Sequence, residues 1–154
     1  MGFVFIKGAI DGFIQRIESG LENTSDRDGD LMLALDRVAL AHSYVQFEID
    51  LDVYPDPPNP DRDRVRWMVS EMFPEYGVYH RPLELVGPEY RHEGLSNAVD
   101  DIVDLYVELK VLSWKWENTS TNDTLWHFDN GYRQRWGATL RNLQCYVFAR
   151  QCGW

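Results

Sequence analysis

Apolar residues recur three or four positions apart along most of this chain, and that spacing is the feature that most constrains its fold. It places apolar side chains on one side of an α-helix, whereas a half-buried strand requires alternation at every second residue. Strand-type alternation is weak, and the helical pattern occupies five segments. They are residues 4–20, 29–51, 61–73, 95–116 and 124–150. The sequence therefore predicts an all-α fold, a helical bundle of four long helices and one short helix.

The second of these segments is apolar on two sides. One stripe contains Leu31, Leu35, Val38, His42, Val45 and Ile49, and the other contains Leu33, Leu40, Tyr44, Phe47 and Leu51. A helix with two apolar faces packs on both sides. We therefore expect it in the middle of the bundle or between the bundle and a partner, an arrangement that leaves room for a homodimer. The prolines of "VYPDPPNPD" end the helix because each lacks a backbone donor.

The longest stretch without a helical period covers residues 74–94. A loop of this length usually packs over a core or carries a site. A short strand fits the sequence "VYHRPLELV" within it. No change of composition divides the 154 residues, so we expect a single domain over residues 1–154.

The net charge of −10 disfavours binding to nucleic acid or to anionic membranes, because both require clustered Lys and Arg. The same charge is compatible with a basic protein partner or with cations. No run approaches the roughly 18 apolar residues that span a bilayer, and the first residues lack the basic region of a signal peptide. Cys145 and Cys152 would lie about 10 Å apart on one helix, which is too far for a disulfide. These features predict a cytoplasmic protein with reduced cysteines.

An acidic row interrupts the apolar pattern of residues 95–116. On a helix, Asp101, Asp104 and Glu108 share the side opposite the apolar face. Such a row is typical of a solvated helix face. Like charges three or four residues apart repel by about 0.2–0.5 kcal/mol per pair, and a bound divalent cation would remove that cost. The three residues are therefore also candidate ligands for Mg²⁺ or Mn²⁺, and both interpretations stay open at this point.

Part of this row, Asp101-Ile-Val-Asp104, resembles half of the metal site of the all-α nucleotide pyrophosphatases of the MazG type. Those enzymes hold magnesium with carboxylates from two helices, so the resemblance implies a metal-dependent phosphohydrolase. The other half, Glu-x-x-Glu, does not occur in the chain. Glu48 and Asp52 of the second predicted helix are its best substitutes.

His42 lies in the middle of an apolar stripe, where a buried ring needs a hydrogen-bond partner. Asp129, at the edge of the apolar face of the last predicted helix, is the candidate partner. Alternatively, Asp129 pairs with Arg133 four residues later. Gly137 in the middle of the same helix costs about 1 kcal/mol relative to alanine, which indicates close approach of another backbone.

Aromatic residues are dense near the end of the chain, and not all of them can face the core. Trp114 and Trp126 project off the main apolar stripes. Together with Arg133 and Arg135 they would form a protein-binding patch, because Trp and Arg are enriched in interface hot spots.

Four motifs occur in the order and spacing of an uncharacterised bacterial family. They are "YPDPPNPD", "MFPEYGVYH", "DDIVDLYVELK" and "LWHFDNGYRQRWGATLRNL". Over about residues 30–148 the chain resembles the family known as domain of unknown function 5063. The matching positions are Asp100, Asp101, Asp104, Leu105, Tyr106, Glu108, Leu109, Lys110, Trp126, Trp136 and Gly137. Members typically carry a histidine where this chain has Arg135. The resemblance implies an all-α soluble bacterial protein and no particular activity.

No complete catalytic constellation occurs in the sequence, which lacks a phosphate-binding loop and a nucleophile motif. The sequence therefore favours a non-catalytic interaction protein, an acidic helical bundle that binds a protein partner without a cofactor. The alternative is a metal-dependent phosphohydrolase with Mg²⁺ or Mn²⁺ held by the acidic row.

Overall fold

Helices dominate the computed structural model, which describes residues 2–20, 26–82, 86–87 and 93–154. The α-helices are α1 (Gly2–Glu18), α2 (Arg27–His42), α3 (Arg62–Met72), α4 (Ala98–Asn118), α5 (Thr121–Gly131) and α6 (Gly137–Cys152). A π-helical turn, Tyr132–Trp136, joins α5 to α6, and two short strands, β1 (Val78–Pro82) and β2 (Glu93–Asn97), precede α4. No helix in the described ranges is long and apolar enough to cross a membrane.

The centre of the bundle is α4, which packs against α1, α3, α5 and α6. Its apolar residues repeat at helical spacing, and Ile102, Leu105 and Leu109 are fully buried. The helix α1 brings a matching row to the same core. That row is Ile6, Ile10, Phe13 and Ile17. The helix α2 packs against both α1 and α6. The predicted all-α helical bundle is therefore confirmed, with the fifth predicted segment divided into α5, the π turn and α6.

The second helix is shorter than predicted. It ends at His42 with Ser43 as its C-cap, so the predicted continuation to residue 51 is wrong. From residue 45 to residue 61 the chain forms no helix, strand or turn, and we call this segment the strap. Its first apolar residues are Val45, Phe47, Ile49, Leu51 and Val53. They alternate with polar residues and are rich in β-branched and aromatic types, which favour an extended chain over a helix.

The two strands form an antiparallel hairpin in which Tyr79 lies opposite Ser96. The strand β1 lies where the sequence predicts a short strand, whereas β2 was not predicted and occupies the start of the fourth predicted helix. The helix α4 therefore begins at Ala98, and its N-cap Asn97 accepts a hydrogen bond from the backbone N–H of Val99. Residues 83–85 and 88–92 of the predicted loop lie outside the described residues.

The π turn explains the glycine in the middle of the last predicted helix. The backbone N–H of Gly137 donates to the carbonyl of Tyr132, five residues earlier. A Cβ at position 137 would come far inside van der Waals contact with that carbonyl oxygen, so glycine is required. The sequence therefore predicts a close backbone contact at Gly137 correctly but its origin wrongly, because the approaching carbonyl lies five residues earlier along the same run of helix and not on another element.

Candidate functional site

Two arginines of α3, one helical turn apart, meet Asp104 of the acidic row and Asp100, which lies one turn before Asp104 on α4. Arg66 forms an ion pair with Asp100, with NH1 3.2 Å from Oδ1. Arg62, one turn earlier, pairs with Asp104, one turn later. The helices therefore bring complementary charges into register along their length. Both pairs are about half exposed, so each contributes no more than about 1 kcal/mol to stability.

Glu108, the next carboxylate of the row, is held by the π turn. Arg135 donates from Nε and NH2 to the two carboxylate oxygens, at 3.1 and 3.2 Å. The hydrogen bond to Glu108 raises the pKa of the Arg135 guanidinium, so the guanidinium stays charged over the whole physiological range. Arg135 therefore joins the π turn to the central helix.

Asp101 points away from these pairs and contacts the hairpin. The hydroxyl of Tyr79 donates to Asp101 Oδ2 at 2.5 Å. Burial raises the pKa of Asp101 above its usual range, and repulsion from Asp104 adds to the increase. The hydrogen bond from Tyr79 acts in the opposite direction. Burial also raises the pKa of the Tyr79 phenol, so its hydroxyl keeps its proton and remains the donor.

The three predicted metal ligands are thus engaged with separate protein groups instead of surrounding one point. Across the described ranges, no group of three or more His, Cys, Asp or Glu side chains is placed to hold a metal ion. Glu48 and Asp52, the substitutes for the missing half of a pyrophosphatase site, lie on the strap and not on a helix. Arg62 and Arg135 also offset the like-charge repulsion that a cation would relieve. The geometry therefore gives a metal-dependent phosphohydrolase no support.

Replacing Asp101 with asparagine should remove one component of the pH dependence of stability. Because the folded-state pKa of Asp101 is raised, its protonation favours folding. This contribution is present at low pH and is lost as the pH rises through the folded-state pKa. We therefore expect the free energy of unfolding of Asp101→Asn, relative to wild type, to increase from acidic to neutral pH. Urea unfolding at several pH values measures the difference, and a difference that does not change with pH would contradict the prediction.

Asp129 binds both of its predicted partners. His42 Nε2 lies 2.7 Å from Asp129 Oδ1, and Arg133 Nε donates to both Asp129 oxygens at 3.0 and 3.1 Å. The imidazole of His42 stacks on the ring of Tyr132 in the π turn, with ring centroids 3.8 Å apart. Both predicted contacts are confirmed, and the cluster ties the end of α2 to the π turn.

The four residues predicted to bind a partner lie in different surroundings. Arg133 and Arg135 each pair with a carboxylate, so both guanidinium groups are already engaged. Trp114 lines a groove of about 710 Å³ between α3, α4 and the strap. Trp126 is 40% exposed on α5, and together with Ile49 of the strap it borders a smaller pocket. The strap therefore lies beside both tryptophans.

Polar contacts hold the first half of the strap to the N-terminal end of α5. The backbone N–H of Glu48 donates to Asn122 Oδ1 at 3.1 Å. The carboxylate of Asp50 accepts hydrogen bonds from the hydroxyls of Ser120 and Tyr54. The hydrogen bond from Ser120, and to a smaller extent that from Tyr54, lowers the pKa of Asp50. The extended chain is therefore fixed at this point.

The second half of the strap is rich in proline and shows a period of three. Between residues 52 and 60, Tyr54, Pro57 and Pro60 are half buried and the residues between them are exposed. A period of three is that of a polyproline II helix, which proline favours. Pro57 and Pro60 line the groove that contains Trp114, and Asp61 then caps α3.

Three apolar side chains of the strap project into solvent. Ile49 is 74% exposed, Leu51 is 90% exposed and Val53 is 96% exposed. Asp50 and Asp52 separate them along the chain. Sequence reasoning missed this surface because it assigned residues 45–51 to a helix. The signal that could have found it is the alternation of apolar and polar residues in "VQFEIDLDV".

Fold and surface together define a small helical bundle with an acidic, partly apolar strap. The fold is similar to that of protein BF1032 from Bacteroides fragilis, known from a crystal structure, with a TM-score of 0.70. The alignment covers 96% of this chain and 88% of that chain at 20% sequence identity, which shows a shared fold alone. No protein-family model and no curated protein matches the chain. The resemblance to domain of unknown function 5063 stays a prediction.

Proposed function

We propose that this protein is a non-catalytic interaction protein that binds a basic protein partner through the strap. The observation that carries the proposal is the exposure of Leu51 and Val53, 90% and 96%, in a segment whose backbone is fixed by hydrogen bonds. Contiguous exposed apolar side chains rimmed by polar residues mark interaction sites. Trp126 of α5 extends this apolar surface. Arg133 and Arg135 are not part of the proposed interface, because each keeps its carboxylate partner.

The charge of the strap supports a basic partner. Residues 45–61 contain five acidic residues and neither Lys nor Arg. The acidic residues are Glu48, Asp50, Asp52, Asp56 and Asp61. Complementary charge accelerates encounter and excludes partners of like charge, while buried apolar side chains supply most of the affinity. The partner surface that fits is an apolar centre surrounded by Lys and Arg.

The rigidity of the strap also supports the proposal. A flexible loop would lose conformational entropy when a partner ordered it, and that loss would weaken binding. Here the contacts of Asp50 and the prolines of the second half order the strap before any partner arrives. We further infer a cytoplasmic location, in which the exposed thiols of Cys145 and Cys152 stay reduced.

Site-specific photocrosslinking in the source organism tests the site and supplies the partner. A photoreactive amino acid at Leu51 or at Val53 should capture the same protein, which mass spectrometry identifies. The same amino acid at Leu95, 64% exposed on β2, is the control and should not capture it. The proposal fails if the strap positions capture nothing, or if position 95 captures the same protein equally well.

Reversing one charge on the strap should weaken binding of the captured partner after purification. We expect Asp56→Lys to raise the dissociation constant by about tenfold, because a favourable charge becomes repulsive. Isothermal titration calorimetry at low and high salt measures the effect, which should shrink as salt screens the charges. Glu71→Lys, at an exposed position of α3, changes the net charge by the same amount and should bind like wild type. Equal losses in the two variants would show that only net charge matters.

A further inference from the structure

The outer side of the α1–α2 pair carries apolar and small residues that no other part of the described chain covers. We name this surface the α1–α2 face. It is formed by Val4, Gly8, Gly12, Leu33, Leu40 and Tyr44. The residues from α1 recur every four positions and so share one side of that helix. Leu33 and Leu40 lie seven positions apart on α2, and each is 51% exposed. The face therefore carries apolar and small residues on both helices, with Arg37 between the two leucines on α2.

Tyr44 closes one end of this face. It follows directly after α2, is 51% exposed, and packs on Phe5 of α1 with ring centroids 5.3 Å apart. The second apolar stripe predicted for residues 29–51 is thus present as far as Tyr44. The sequence predicts a packing partner for that stripe, and the described chain does not supply one.

The α1–α2 face contains both a ridge and a hollow. The ridge is formed by Leu33 and Leu40. The hollow, of about 170 Å³, lies between the two helices beside Leu33. Small residues (Ala9, Gly12 and Ala34) form its floor together with Phe13, and the charged side chains of Arg16, Asp30 and Arg37 also line it. A Cβ added at Gly8 or Gly12 would meet nothing within 4 Å, so the surface there is open. A cavity of roughly 150 Å³ holds a group the size of benzene, so the hollow has room for a leucine side chain.

The helices that form the face also carry little net charge. Together α1 and α2 contain four basic and five acidic residues, which leaves −1 of the −10 of the whole chain. Two copies of an acidic protein repel each other over most of their surface. The repulsion is weaker where the local charge is low, and the pair of helices that carries the α1–α2 face meets that condition.

We propose that the α1–α2 face binds a second copy of this chain in a two-fold symmetric dimer. In such an interface the same patch lies on both sides, so it must be complementary to itself. The face meets this requirement, because the leucine ridge of one copy enters the hollow of the other and the reverse contact forms at the same time. The dimer interface uses residues outside the strap. A test of the dimer is therefore independent of whether the strap binds a partner.

Sedimentation velocity of the full chain over a range of concentrations tests the dimer. Wild type should sediment as a dimer at micromolar concentration and above. Leu40→Lys should raise the dissociation constant by about a hundredfold or more, because it places a charge in the interface. Leu95→Lys adds the same charge at an exposed position of β2 and should leave the dimer unchanged. A wild-type chain that remains monomeric, or a dimer that tolerates Leu40→Lys, overturns the proposal.

A second variant separates loss of the dimer from loss of the fold. Gly12→Leu fills the hollow and replaces a helical glycine with a better helix former. It should therefore keep or raise the thermal midpoint of the monomer while it weakens the dimer. A dimer of wild-type strength in Gly12→Leu overturns the proposal even if Leu40→Lys fails to fold.

Discussion

Replacing Gly137 with alanine is expected to lower the free energy of unfolding by about 2–3 kcal/mol. In an ordinary helix the same change stabilises, because alanine has the higher helix propensity. Here the added Cβ would collide with the carbonyl oxygen of Tyr132, and the π turn must open or shift to relieve the collision. Thermal unfolding measures the effect as a fall of several degrees in the midpoint.

Gly8→Ala is the matched control for this prediction. Gly8 lies within α1, and a Cβ added there meets nothing within 4 Å. We expect Gly8→Ala to stabilise the chain by up to about 1 kcal/mol, measured at a concentration where the protein is monomeric. If the two substitutions change stability in the same direction, the π turn does not require glycine.

Truncation of Trp136 should be the most destabilising of the changes considered. Its indole is 2% exposed and meets Phe128 and Tyr132 edge to face, with ring centroids 5.2 and 5.3 Å away. Trp136→Ala removes these contacts and leaves a large cavity in the core beside Phe128, so we expect a loss of about 3–5 kcal/mol. Denaturant unfolding followed by far-ultraviolet circular dichroism gives the free energy.

Trp126→Ala is the matched control, because it makes the same substitution at a more exposed tryptophan. Trp126 is 40% exposed, so the same truncation removes less buried area and should cost less than half as much. Similar losses at the two positions would mean that the π turn does not anchor the core through Trp136.

The position of the helices could be predicted from the sequence because each carries its own apolar period. The segment predicted for α3, residues 61–73, agrees closely with Arg62–Met72, since Asp61 provides a local cap. The end of α2 could not be predicted in the same way. Tyr44, Phe47 and Leu51 fit a helical period as well as they fit alternation. The choice depends on contacts of the strap with Ser120 and Asn122, which are distant in sequence.

The sequence contains a pattern that indicates the π turn, although it also fits the spacing of an ordinary helix. Phe128, Tyr132, Trp136 and Leu140 follow one another at intervals of four residues. Each such step overshoots a full helical turn by about 40°, so the apolar stripe would drift away from the core. The extra residue of a π turn rotates the following helix back. Three such steps in succession, with Gly137 inside the last of them, could have indicated the π turn.

The candidate sites show the same division between local and tertiary information. The acidic row of α4 follows from the spacing of Asp101, Asp104 and Glu108. Its pairing with arginines of α3 and of the π turn depends on how those elements pack, and no local pattern contains that information. The surplus of aromatic residues was visible, but which of them face solvent depends on the path of the strap.

The order of the packing partners along the chain affects synthesis on the ribosome. The helices α1 and α2 emerge before α4 and α6, yet α1 packs on α4 and α2 packs on α6. Glu18, for example, accepts a hydrogen bond from Lys110 at 2.6 Å, 92 residues later. Until the later helices leave the exit tunnel, the inner side of the α1–α2 hairpin stays in contact with water. A chain that stalls before α6 therefore presents that hairpin to chaperones and to other nascent chains.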